Sequence, residues 1–265
     1  MLLGLTRGAL YLRSCEPPGA LAVLSHDSVR LPCGALLATT SAEQPLTALA
    51  PPGSAAFVVG DGAVTWTGPA GPVVVRAVRE WKPARPARGE VSAAALAAVR
   101  DALVRVDPGV DVRLSDLGPA ASDESASVAL ARHLLGRGPG LTPSGDDVLA
   151  GFLAGATAFG VEAAALRSGI AALAPSRTTT LSAALLWHAA RGECIDEVAA
   201  LAATLTSRTH GCLSGGVIAP PDRHSRTRHA VSRLVSVGHS SGAALACGLL
   251  AAAEAALARR EVGAA

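Results

Sequence analysis

The pattern of apolar and polar positions changes character about a third of the way along the chain. Up to about residue 80, apolar residues come in short runs broken by glycine and proline, which is the pattern of strands. Ala20–His26 and Val29–Thr40 are such runs, with Pro32 and Gly34 inside the second. Ala55–Val59 and Ala63–Thr67 flank Gly60-Asp61-Gly62, a turn whose residues tolerate positive φ and so predict a hairpin. Pro72–Glu80 predicts one more strand. Pro51-Pro52-Gly53 and Gly68-Pro69 are read as loops.

Trp81–Gly89 resists both kinds of element, because its two prolines and three basic residues fit neither a helix interior nor a central strand. It is read as a linker. Beyond it the apolar period becomes helical. The spacing predicts helices over Val91–Val104 with Ser92 as cap, and over Ser122–Leu135. In the second, Ser122 is the expected cap, Asp123 and Glu124 oppose the dipole, and Gly136 ends the helix. Further helices are predicted from Ser144 to Phe159 and over Val161–Ala174, Thr179–Arg191, Cys194–Leu205, Arg226–Val237 and Gly242–Arg260. The expected fold class is α+β. A small antiparallel sheet or partial barrel (residues 1–85) precedes a larger all-helical domain (residues 90–265).

Composition fits this picture. Half the residues are apolar but only 3% are aromatic, so the core is built from small side chains and favours closely packed helices. Net charge is +2, with no basic stripe and few aromatic rings for bases to stack on, so no nucleic-acid partner is expected. Lys82 is the only lysine, which argues against Schiff-base chemistry and against a lysine-dependent phosphate loop. Cys15, Cys33, Cys194, Cys212 and Cys247 are scattered and form no C-x-x-C pair, so they are read as reduced, mostly buried thiols. Arg7 and Arg13 interrupt the apolar N-terminus, and Glu162, Arg167 and Glu254 interrupt the apolar helical runs. No signal segment or membrane span is therefore expected, and a cytoplasmic location is.

Candidate chemistry gathers at three predicted helix starts. Gly140-Leu-Thr-Pro-Ser-Gly145 has the glycine spacing of a phosphate loop, yet Asp146 and Asp147 stand where such a loop carries Lys-Ser/Thr. The helix that begins here would offer N–H groups to a small anion, with Thr142 and Ser144 adding hydroxyls. The two aspartates would repel a bare anion, so a cation is also expected: an arginine, a Mg²⁺ ion held by Asp146 and Asp147, or a partner's side chain. The bland alternative is that Ser144 caps the helix and both acids favour its dipole. The helix itself is apolar on every face, and Gly151 and Gly155, one turn apart, would let a neighbour approach closely.

Gly238-His239-Ser240-Ser241-Gly242 lies between two predicted helices. Ser240 or Ser241 is the expected cap, and His239 is a candidate acid, base or anion ligand. Arg177-Thr178-Thr179-Thr180 precedes another helix, with Ser182 following. Together the three starts predict a convergent anion pocket. Asp222–His229 is read as a solvated basic loop and helix start. His188 and His210 show no metal-ligand spacing, and no local Ser–His–Asp pattern is present.

The motifs Gly138–Asp147 with Leu149-Ala-Gly151, then Thr179–Ser182 with Gly192, then Gly238–Gly242 with Gly248 resemble three ordered blocks. They are those of the AllH-type subunit family of bacterial oxamate carbamoyltransferase, and span residues from about 130 to 250. The resemblance implies a cytoplasmic protein of purine degradation and allantoin catabolism that works beside two other subunits. It implies interconversion of oxalurate plus phosphate with oxamate plus carbamoyl phosphate. It points to Thr142, Ser144, Asp146, Asp147, Thr179, His239, Ser240 and Ser241. The chain departs from the family pattern at Ala244, a position often acidic in relatives. Against this enzymatic reading stand a non-catalytic anion-binding or assembly subunit, and a Mg²⁺-dependent hydrolase.

Overall fold

The computed structural model describes residues 1–50, 56–206 and 223–263. Pro51-Pro52-Gly53, Ala55, His210, Cys212 and Asp222 lie outside the described residues. The fold is α+β, as expected: small sheets, then a helical assembly.

The strands form two sheets. β1 (Leu2–Leu5), β2 (Ala9–Arg13) and β3 (Ala20–Leu24) are an antiparallel meander, and β4 (Gly34–Leu36) joins the edge of β3 in parallel. Most of the predicted Val29–Thr40 strand is loop, because Leu31–Gly34 closes a turn through the Gly34 N–H to the Leu31 carbonyl (2.8 Å). A short helix, α1 (Leu46–Leu49), leads to the second sheet. This is an antiparallel hairpin of β5 (Phe57–Gly60) and β6 (Ala63–Gly68), with β7 (Gly71–Arg76) on the far side of β6. Asp61 and Gly62 both take positive φ, 49° and 68°, so the predicted turn forms as the residues allow.

Alternation along β2 sets the layers. Leu10 and Leu12 point to one face and join Val23, Leu46, Val64 and Trp66 in a core between the two sheets. Trp66 Nε1 donates to the Leu49 carbonyl at 2.8 Å, which fixes α1 to β6. Ala9 and Tyr11 point to the other face, toward the helices.

The helices are α2 (Ala93–Leu103), α3 (Leu114–Ser122), α4 (Glu124–Leu134), α5 (Ser144–Phe159), α6 (Ala164–Arg177), α7 (Thr180–Ala189), α8 (Asp196–Leu205), α9 (Arg223–Val235) and α10 (Ser241–Gly263). Ser92 caps α2 as predicted, accepting from the Ala95 N–H. The cap of α4 is Asp123, not Ser122: Asp123 accepts from the Ala126 N–H, and Ser122 is the last residue of α3. Trp81–Gly89 forms no regular element, yet Ala84 within it pairs with Cys194 and Val91 just beyond it pairs with Thr206, so this stretch lies along the helical assembly.

The core axis is the pair α5 and α10. Val148, Leu149, Phe152 and Leu153 are fully buried, as a helix apolar on every face requires. The two helices run parallel with their N-termini together. Glycine allows their backbones to touch: a Cβ on Gly151 would sit 2.1 Å from the Leu245 carbonyl oxygen, and one on Gly248 would sit 2.0 Å from that of Val148. α10 has the length and hydropathy of a membrane span, but 67% of that span is buried inside the protein, mostly against α5 and α3. Cys33, Cys194 and Cys247 are buried thiols, while Cys15 is exposed.

Candidate functional site

Three helix starts meet where the sequence places its unusual residues. The α5 start is built by Leu134–Pro143. Gly136, Gly138 and Gly140 all take positive φ and fold the chain back on itself. Pro143 has extended φ/ψ and no N–H to lose, so the helix begins at Ser144. Ser144 is not the cap. Its hydroxyl instead lies 3.0 Å from that of Ser240, and Thr142 Oγ1 lies 3.0 Å from Ser241 Oγ, so hydroxyls from the α5 start and the α10 start pair across the two helix ends.

Asp146 and Asp147, adjacent in sequence, serve different neighbours. Asp146 is 1% exposed and accepts from three protein donors: the Gly136 N–H at 2.9 Å, the Ser182 hydroxyl at 2.6 Å and the Thr178 hydroxyl. It knots the loop before α5 to the start of α7. Burial pushes its carboxyl above the ordinary range, and the three hydrogen bonds only partly restore it. Thr179 caps α7 through the Ser182 N–H (3.1 Å) and donates to the Leu141 carbonyl (2.5 Å).

Asp147 is 6% exposed and its Oδ2 has no hydrogen-bond partner. Burial raises its carboxyl to about 8, although the nearby Ser241 hydroxyl lowers it and the Asp146 carboxyl raises it further. Burial thus favours its protonated form. It lines a cavity of about 400 Å³ between the first sheet and the helices, within the range of small-molecule sites. Thr142 and Ser241 line the cavity beside it. The far wall comes from Tyr11 of β2 and the Asp27–Pro32 loop, and the side walls from α7 and Glu193–Ile195.

Other expected residues lie elsewhere. His239 is exposed and does not line the cavity. Arg177 is exposed, and its backbone carbonyl packs against Gly136. Thr180 faces the sheet and accepts from Arg13 at 3.4 Å. Gly140 has open space around it. Gly145 and Gly242 serve close packing: a Cβ on either would meet the Leu134 or the Leu234 carbonyl oxygen. Ala244 is fully buried, so no carboxyl is missing from an open surface there.

The expected cradle of N–H groups is largely used by the protein. Gly145 donates to the Arg137 carbonyl (2.8 Å), Asp146 to that of Pro143 (2.9 Å) and Gly242 to that of Val237 (2.9 Å). The cation expected between Asp146 and Asp147 fits poorly as well. Asp146 is already engaged by three donors, and among the described residues no three His, Cys, Asp or Glu side chains gather into a metal-binding group.

Sequence reasoning passed over two contributors. Glu193 lines the cavity, accepts from Arg85 at 2.7 Å and pairs with His188 Nδ1 at 2.7 Å. Burial raises its carboxyl, but the hydrogen bonds from His188 and Arg85 prevail and hold it below the ordinary value. Asp27 receives the Ser41 N–H (2.8 Å) and hydroxyl (2.7 Å), which lower it. The only local signal was Gly192-Glu193 closing the predicted α7; nothing local marks Asp27.

Residues 134–253 match the family model described as oxamate carbamoyltransferase subunit AllH, which supports assignment of the chain to the AllH family. The match runs from the end of α4 through the first half of α10 and holds all three helix starts. No solved structure matches the chain. As a subunit family, AllH implies protein partners.

Proposed function

We propose that this chain supplies the proton-transfer group of an oxamate carbamoyltransferase-type enzyme, interconverting oxalurate plus phosphate with oxamate plus carbamoyl phosphate. The observation that carries this reading is Asp147, a buried carboxyl with one unpartnered oxygen, lining a cavity inside the segment matched by the AllH model. Carbamoyl transfer needs such a group. A phosphate oxygen attacks the carbamoyl carbon and the carbon–nitrogen bond to the oxamate half breaks. The leaving nitrogen takes a proton from Asp147, and the proton of the phosphate restores the acid. A carboxyl raised to about 8 is protonated yet able to give its proton near neutral pH. Thr142 and Ser241 orient the substrate beside it. Ser144, Ser240, Thr179 and Asp146 hold the three helix starts in register, so the acid stays aimed at one place.

Cytoplasmic placement and two further subunits belong to this reading. So does a division into residues 1–85 and 90–265, with the cavity between the two parts. The test is reconstitution. The chain with its partner subunits should cleave oxalurate only when phosphate is present, and omitting the chain should abolish it. Undiminished cleavage without the chain would favour the assembly-subunit reading.

A further inference from the structure

An antiparallel sheet with one wet face normally alternates apolar residues inward with polar residues outward. In the second sheet β6 follows that rule: Val64 and Trp66 point into the core, and Thr65 and Thr67 point out. β5 and β7 do not. They read Phe-Val-Val-Gly and Gly-Pro-Val-Val-Val-Arg, near-continuous apolar runs of the kind found in strands covered on both faces. The inner row Phe57–Trp66–Val73 packs in the core with the first sheet. The outer row is Val58–Thr65–Val74, and its two valines are 64% and 54% exposed. Past the end of β7, Val78 is 96% exposed. Apolar side chains gathered on a bare sheet face mark a contact surface. The charges nearby are uneven. From residue 56 to residue 89 the basic residues are Arg76, Arg79, Lys82, Arg85 and Arg88, and the acidic ones are Asp61 and Glu80. Arg85 is taken by Glu193, but Arg76, Arg79, Lys82 and Arg88 are exposed. The basic segment begins at the end where β7 leaves the sheet, while the outer row itself is uncharged. An apolar middle with a charged margin is the layout of a protein interface.

We propose that the outer face of the second sheet, with the basic segment that follows β7, docks a partner subunit bearing an apolar patch edged by acidic side chains. That the chain has protein partners rests on its match to a subunit family. The valines choose the face, and the excess of arginine and lysine chooses the partner's charge. A second copy of this chain suits the face less well. A two-fold contact would bring each basic segment to the same interface as its twin, and like charges set together suppress a contact. Val58, Thr65 and Val74 do not line the cavity, so docking and chemistry can be tested apart.

Sedimentation velocity of the full-length chain, alone and mixed with the purified partner subunits of its enzyme, tests this. The wild-type chain is expected to join the complex, with an affinity that falls as salt rises. Val58→Thr combined with Val74→Thr keeps residues that favour strands but removes the apolar surface, and should weaken assembly at least about tenfold. Arg79→Glu combined with Lys82→Glu should weaken it at least about tenfold at low salt, with the loss shrinking as salt rises. Thermal melts of both double variants establish that each is folded. Assembly within about threefold of wild type in either double variant, or no complex with the partner subunits, would overturn the proposal. So would a dimer of the chain alone that Val58→Thr with Val74→Thr disperses, since the occupant would then be a second copy. The two readings fail separately. Asp147→Asn that assembles and still turns over contradicts the proton-transfer role alone, whereas valine variants that assemble like wild type contradict the docking face alone.

Discussion

Asp146 and Asp147 are neighbours in sequence but occupy opposite kinds of surroundings. Around Asp146 the protein is closed: three donors from two segments converge on one carboxyl, and nothing is left over. Around Asp147 it is less complete. The Ser241 hydroxyl is beside the carboxyl, its Oδ2 is buried without a partner, and the residue lines a cavity whose opposite wall is the N-terminal sheet. Successive helix positions differ by about 100° in direction, so two adjacent acids face two different neighbours. Asp146 faces the start of α7, and Asp147 faces the cavity near the start of α10. A satisfied buried acid is part of the scaffold, and an unsatisfied one beside a cavity is available to a ligand.

If this contrast is right, the two positions separate stability from activity. Asp146→Ala strands the Thr178 and Ser182 hydroxyls and the Gly136 N–H, and should cost about 3 kcal/mol in denaturant unfolding. Asp147→Asn replaces a neutral acid by a neutral amide and should change stability at pH 7 by less than about 1 kcal/mol. The reverse order of costs would break the comparison.

A pH series sharpens it. The folded Asp147 carboxyl titrates near 8, above its ordinary 3.8, so the native state binds the extra proton between those values. Its contribution is complete below pH 4 and is lost as pH rises through 8. Relative to Asp147→Asn, the wild-type chain should therefore lose stability as pH rises across that window, by at most about 1.4 kcal/mol per unit. Equal slopes for the two proteins would show that Asp147 does not hold its proton.

Smaller effects follow around the cavity. Thr142→Val and Ser241→Ala remove orienting hydroxyls and should lower turnover about tenfold, with little loss of stability. His239→Ala should leave turnover within about threefold, since the ring is exposed and outside the cavity. A large loss there would return the proton to His239.

Legibility in the sequence followed the same divide. α5 was readable end to end, because Pro143 and Gly160 mark both boundaries: Gly160 takes the left-handed conformation that stops a helix. The close α5–α10 contact was foreshadowed by Gly151 and Gly155. α3 was not readable, since Gly118 and Pro119 in its interior look like a turn, and the tertiary contact of Gly118 with Ala255 overrides that. Within the candidate site, the three helix starts were legible because glycine, proline and hydroxyl residues just before an apolar run are local signals, although of the expected caps only Thr179 is seen to cap its helix. The split between the two aspartates was not, because it depends on which neighbour packs on each face. The sheet-side wall, with Tyr11 and Asp27, comes from residues more than 100 positions away and carries no local signal.

The central claim is that Asp147 gives and retakes the proton in carbamoyl transfer. Its most direct test is the phosphate-dependent cleavage of oxalurate by the reconstituted complex carrying Asp147→Asn, with the thermal melt of the variant confirmed unchanged. A loss of turnover of about 100-fold or more is predicted, the usual scale for removing a general acid. Turnover within about threefold of wild type would contradict it.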